Sequence, residues 1–209
     1  MLLNNMIRQK TGIVLESLRL RIKDGIAAAA NLGFQGIQID ATQRDIAPEN
    51  LSQTGRRELK RIIDLNRLCL CALGGELGVG FNNHNEFDFI IKRTKEIIDL
   101  ALDLQTGIVT VQIGSIPTDN SSTHWHAVNT ALSEIGLHAG NYGCRLAVKA
   151  SYDNYSVLKD FLKSLHTDGV KLIYDPASLM TTNLDPIKGI YELYEYIVHT
   201  NLWDTRQTE

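Results

Sequence analysis

Six short apolar runs in this chain end on, or lead into, side chains that can move protons or hold a polar ligand. Asp40 closes GIQID, Glu76 follows CLCAL, Gln112 lies in VTVQIG and Lys149 in LAVKA. Asp175 ends VKLIYD, and His199, Asn201 and Asp204 fall in IVHTNLWD. Carboxylates, an amine and an imidazole are the groups of general acid–base chemistry. Lys149 has two readings. Burial can depress a lysine pKa and make the amine a base or an imine former. The plainer reading pairs its ammonium with Asp175 on the next strand, which satisfies two charges that are costly to bury alone. A protonated lysine has no lone pair, so it cannot ligate a metal. Asp40, Glu76, Gln112, His199 and Asn201 are candidates for lining a ligand pocket, although single carboxylates at strand ends are common and a strand histidine is more often simply hydrogen-bonded.

The elements that must position these groups follow one rhythm: apolar run, polar loop, helical pattern, glycine, next apolar run. That alternation predicts βα units and a parallel sheet. Strands are expected at 11–16, 36–40, 69–73, 108–114, 145–150, 170–175 and 197–203. Helices are expected at 20–32, 52–68, 86–104, 122–138, 155–165 and 186–196. Ser52 suits a helix N-cap, Gly33 a helix C-terminal cap and Pro186 a helix start. Tyr191, Tyr194 and Tyr196 at helical spacing read as packing residues. The first strand leads into no GxGxxG turn, which excludes a dinucleotide fold of the usual kind. GGELGVGF, residues 74–81, lacks the lysine of a phosphate-binding loop and reads as a flexible loop.

Composition sets outer bounds. The chain has 209 residues, 44% of them hydrophobic and 22% charged, and a formal net charge of −3. It is expected to form one domain over residues 1–209. Mixed charge of slightly acidic balance disfavours nucleic-acid binding. RRELKR, residues 56–61, reads as the solvated face of a helix. The opening MLLNNMIRQK is too short and polar for a signal peptide, and no apolar run has the length of a bilayer span. Cys69, Cys71 and Cys144 show no metal spacing and read as buried thiols of a reducing cytoplasm.

The stretch DPASLM, then LDPIKGIYELYEYIVH, then Asp204, together with ALGGELGVGF and VTVQIGSIP, resembles the sugar phosphate isomerase/epimerase group of the xylose isomerase-like TIM barrels. The resemblance covers nearly the whole chain, from GFQGIQID onward. It implies a (β/α) barrel that here ends after strand seven, without an eighth βα unit. It also implies a divalent metal, Mn²⁺ or Mg²⁺, held by a glutamate of strand five, an aspartate of strand six, a histidine of strand seven and a glutamate of strand eight. Proton transfer between neighbouring sugar carbons would follow. Against that pattern the strand-five position is Lys149, the strand-six aspartate is Asp175, and a substrate-side asparagine is Ser178. The strand-seven histidine position is Asn201, three residues before Asp204. Asp175 is thus the one retained residue of ligand type, and no cofactor is expected.

Three readings remain open. The first is an isomerase/epimerase-like protein acting on a small carbohydrate, with a degenerate metal site and impaired or lost catalysis. The second is a metal-independent enzyme in which Lys149 and a carboxylate, Asp175 or Glu76, move protons. The third is a non-catalytic sugar-binding or assembly protein. Open edges on strands one and seven point to a homodimer.

Overall fold

The structure, a computed structural model, describes residues 11–78, 81, 86–151 and 154–203. Asp204 and part of the glycine-rich loop lie outside the described residues. Seven strands are present: β1 (Gly12–Val14), β2 (Gly36–Asp40), β3 (Cys69–Gly74), β4 (Ile108–Ser115), β5 (Arg145–Ser151), β6 (Val170–Tyr174) and β7 (Ile197–Thr200). Between them run α1 (Ile22–Asn31), α2 (Gln53–Leu65), α3 (Phe87–Asp103), α4 (Thr123–Asn141), α5 (Tyr155–Ser164), α6 (Pro176–Thr181) and α7 (Pro186–Leu193). Every strand pairs in parallel with its sequence neighbour, in the order β1 to β7. A doubly wound sheet reverses its strand order at a switch point. This one never reverses, which is the winding of a barrel, and the described sheet ends at β7.

Local chemistry explains most boundaries. The Ser52, Ser122 and Asn154 side chains accept amide protons at the starts of α2, α4 and α5. Asp185 does the same at α7, where Pro186 needs no donor of its own. Gly33, at φ +87, takes the left-handed position after α1. The residues of β2 alternate: Ile37 and Ile39 are wholly buried, whereas Gln38 and Asp40 occupy the opposite face and are half-buried. Gly136 and Gly169 allow α4 to lie against the turn before β6, since a Cβ on Gly169 would collide with the Gly136 carbonyl.

Four expectations need correction. The first strand stops at Val14, and Leu15–Leu18 form a 3₁₀ turn. That turn buries Leu15 at 4% exposure and carries Glu16 toward the end of β2. β6 stops at Tyr174, because Asp175 leaves the strand to cap α6, a helix the sequence pattern did not suggest in a six-residue stretch. α7 ends at Leu193, so Tyr191 and Tyr194 are largely exposed and only Tyr196 packs against the core. Cys69 is exposed at the start of β3, and only Cys144 is fully buried.

Candidate functional site

The C-terminal ends of the strands carry the groups that the sequence singled out. Lys149 on β5 stands in register with Gln112 on β4. Its Nζ donates to Asp175 Oδ2 at 2.6 Å, forming the expected ion pair. The Asp175 side chain is only 4% exposed, that of Lys149 32%. Three further donors converge on the same carboxylate. The Ser178 hydroxyl reaches Oδ2 at 2.8 Å, the Ser178 amide reaches Oδ1 at 3.0 Å, and the Trp203 indole N–H reaches Oδ1 at 2.8 Å. A carboxylate offers about four lone-pair positions, and four donors fill them here. Burial acts to raise the Asp175 pKa, but the hydrogen bonds from Lys149, the Ser178 amide, Trp203 and the Ser178 hydroxyl prevail and hold it below the usual aspartate value. The Lys149 ammonium also lies 5.9 Å from the centre of the Trp203 ring.

The β1–β3 side is built differently. Asp40 Oδ1 accepts from the Thr42 amide and hydroxyl at 2.8 and 2.7 Å. The Asp40 amide donates to Glu16 Oε1 at 2.9 Å. Glu16 Oε2 is buried, and among the described residues no donor reaches it. One step down the same face of β2, Gln38 Nε2 donates to the Thr110 hydroxyl at 3.3 Å, while its buried Oε1 likewise meets no donor among the described residues. Glu76 lies at the rim. Surrounding protein mass pushes its pKa up and the Asp40 charge adds to that; the Gln112 amide and the Lys149 charge oppose it.

On β7, His199 aligns with Ile173 of β6. Burial lowers its pKa and favours the neutral ring, against a hydrogen bond with the Asn201 side chain that favours the charged one. Asn201 follows the strand, its amide bonded to the Tyr174 carbonyl at 2.9 Å. The structure therefore groups Lys149, Asp175 and Ser178 in one cluster with Gln112 on the strand beside Lys149, sets Asp40 and Glu76 on the β1–β3 side, and pairs His199 with Asn201. Sequence reasoning missed Glu16, Gln38 and Trp203. Glu16 was hidden at the end of the first apolar run, Gln38 was signalled by sharing the parity of Asp40, and Trp203 by its place two residues after Asn201.

A divalent ion of the kind the resemblance implies needs several oxygen or imidazole ligands. The donors present do not fit one. An ammonium occupies the strand-five position, the Asp175 oxygens are taken, and among the described residues no three His, Cys, Asp or Glu side chains gather as a metal would require. Among those residues also, no helix is long and apolar enough to cross a membrane.

The fold has close parallels among solved structures. A xylose isomerase domain protein from Planctomyces limnophilus superposes with a TM-score of 0.77 at 16% identity, covering 91% of this chain and 72% of its own. A D-psicose 3-epimerase from Clostridium cellulolyticum, solved with D-tagatose, gives 0.71 at 17% identity over 92% of this chain and 72% of its own. A sugar phosphate isomerase/epimerase from Parabacteroides distasonis gives 0.68 at 13% identity over 90% and 75%. At such identities the likeness speaks to fold alone. None of the curated proteins matches the chain. The family model described as the xylose isomerase-like TIM barrel matches residues 26–209, from within the first helix through the ends of β2 to β7, and the chain belongs to that family.

Proposed function

We propose that the chain is an isomerase/epimerase-like protein that holds a small carbohydrate in the cup at its strand ends, with metal-dependent proton transfer impaired or lost. One observation carries this: the Lys149 ammonium is bonded to an Asp175 carboxylate whose four acceptor positions are all in use. A dication there would have to displace Lys149 and endure its charge within a few ångströms. The carbohydrate part of the reading draws support from neighbours described as sugar isomerases and epimerases, one of them solved with D-tagatose. In this reading Asp40, Glu76, Gln112, Ser178, His199 and Asn201 surround the ligand, and three free thiols accord with a cytoplasmic location. The test is elemental analysis of the purified protein, followed by thermal melts with Mn²⁺, Mg²⁺ and EDTA. A ligand that binds only the folded state raises the melting temperature. Coincident melts and no stoichiometric metal are expected; a bound metal that stabilises the fold overturns the reading.

An assembly role has its own observation. Ile187, Ile190, Tyr191 and Tyr194 fall at i, i+3, i+4 and i+7 along α7, and each is between 49% and 78% exposed. They form an apolar stripe on the helix that precedes β7, one end strand of the described sheet. Its contiguous apolar character is what interaction sites show. A second copy of the chain, packing stripe to stripe about a two-fold axis, would cover it. Light scattering is expected to report a dimer that Tyr191→Glu dissociates; a monomeric wild-type chain overturns this second reading.

A further inference from the structure

We propose that Cys69 and Cys71 form a two-coordinate site for a soft monovalent cation, Cu⁺, at the N-terminal end of the barrel, opposite the cup. Gly12, Gly36 and Cys69 open β1, β2 and β3 and stand side by side in register. A bulge follows in β3: Leu70 pairs with Ile37 and Ala72 with Gln38, which leaves Cys71 as the extra residue. Bulges re-aim side chains, and this one sets the Cys71 thiol over the two glycines. A Cβ on Gly36 would stand 2.2 Å from the Cys71 sulfur, and one on Gly12 3.4 Å from it. The same sulfur lies 3.7 Å from the Cys69 carbonyl oxygen. The two thiols interact directly: burial pushes the Cys71 pKa up, and the Cys69 charge and a hydrogen bond with the Cys69 thiol add to that. Cys69 is exposed and Cys71 half-buried, so solvent reaches the pair, whereas Cys144 is buried.

The geometry also selects what such a pair can hold. A disulfide needs Cβ atoms about 4 Å apart. Two residues of strand rise about 6.6 Å, so oxidation would work against the pairing of β3. A bridging cation asks for less. Two bonds of about 2.3 Å, the usual metal–thiolate length, let it sit between sulfurs up to about 4.6 Å apart. Zn²⁺ takes four ligands in structural sites, and among the described residues no third His, Cys, Asp or Glu gathers with the pair. Cu⁺ is soft, is selected by thiolates, and needs only two of them. Binding exchanges two S–H bonds for two S–Cu bonds, and both protons leave to solvent. The copper stays Cu⁺, so no oxidant or reductant takes part. Because the Cys71 proton must be displaced, binding weakens as pH falls.

The test is anaerobic equilibrium dialysis of the reduced, metal-free chain against Cu⁺, with copper counted by elemental analysis. About one copper per chain is expected, with thiolate-to-copper charge-transfer absorption in the ultraviolet and release of about two protons. Cys69→Ser and Cys71→Ser are each expected to lose the copper, and Cys144→Ser to keep it. Melting curves check that each variant is folded. Cys69 is exposed, so Cys69→Ser decides the matter should Cys71→Ser fail to fold. A wild type without stoichiometric copper, or copper retained by Cys69→Ser, overturns the proposal. Zn²⁺ bound as tightly as Cu⁺ overturns it too, because two thiolates alone do not satisfy that ion. Copper that is lost with Cys69 belongs to this end of the barrel and leaves the reading of Lys149 and Asp175 as it stands.

Discussion

The two sides of the cup solve opposite problems. Across β5 and β6, Asp175 is buried and saturated: an ammonium, a hydroxyl, an amide and an indole N–H consume its acceptors. Across β1 to β3, Glu16 Oε2 and Gln38 Oε1 are buried and meet no donor among the described residues, and Asp40 and Glu76 feel each other's charge. A fully satisfied polar network rigidifies the fold, whereas an unpaired buried polar group carries a cost. Barrels concentrate their chemistry at strand ends, and under the proposed function the saturated side serves as scaffold there.

That contrast can be broken or sharpened experimentally. The largest effect belongs to Asp175→Ala, which strands the Lys149 ammonium and removes the α6 cap together. With Lys149 about a third exposed, the expected loss is about 3 kcal/mol, read by urea denaturation, and a loss under 1 kcal/mol would show that the pair is not a wall at all. Next is Lys149→Glu, which returns a carboxylate to the strand-five position. Saturating Mn²⁺ should stabilise this variant by about 2 kcal/mol and leave the wild type unmoved. A variant indifferent to Mn²⁺ would mean that Ser178 and Trp203 alone keep Asp175 committed.

Acid supplies a third probe. Asp175 titrates lower in the folded protein than unfolded, so its contribution is complete above the unfolded value, about pH 4, and drains as pH falls through the folded one. Asp175→Asn should flatten that limb of the stability curve. Trp203→Phe removes one donor at a half-exposed position and should cost about 1 kcal/mol, with a blunted acid limb as its signature. The smallest effect is on the other side. Glu76 titrates higher when folded, so its charge opposes folding as pH rises through the folded value. Glu76→Gln should therefore be neutral below about pH 4 and stabilising at pH 7 by less than about 0.5 kcal/mol. A clear destabilisation at pH 7 would show that Glu76 makes a favourable contact the charge pattern does not reveal.

Much of this was written in local pattern. Alternating apolar runs and amphipathic helices announced parallel βα units, GIQID gave β2 to the residue, and Ser52 and Pro186 marked their helix starts. The pairing of Lys149 with Asp175 followed from placing unlike charges at adjacent strand ends. α6 was hidden because six residues are too few for a 3.6-residue period to stand out. The exposure of Tyr191 and Tyr194 was hidden because periodicity shows that a helix has an apolar face but not whether a neighbour covers it.

The sequence by itself determined the alternation of strands and longer helices, the parallel sheet and the residue types presented at each strand end, since these depend on propensity and on periods of two and 3.6 residues. Only the tertiary structure decided which acceptors find donors. Glu16 and Gln38 look like ordinary polar residues in the chain. Their buried oxygens, which meet no donor among the described residues, arise where a 3₁₀ turn after β1 and the inner face of β2 meet in space. Satisfaction of a hydrogen bond is a property of three-dimensional neighbours within about 3 Å, which a one-dimensional pattern does not contain.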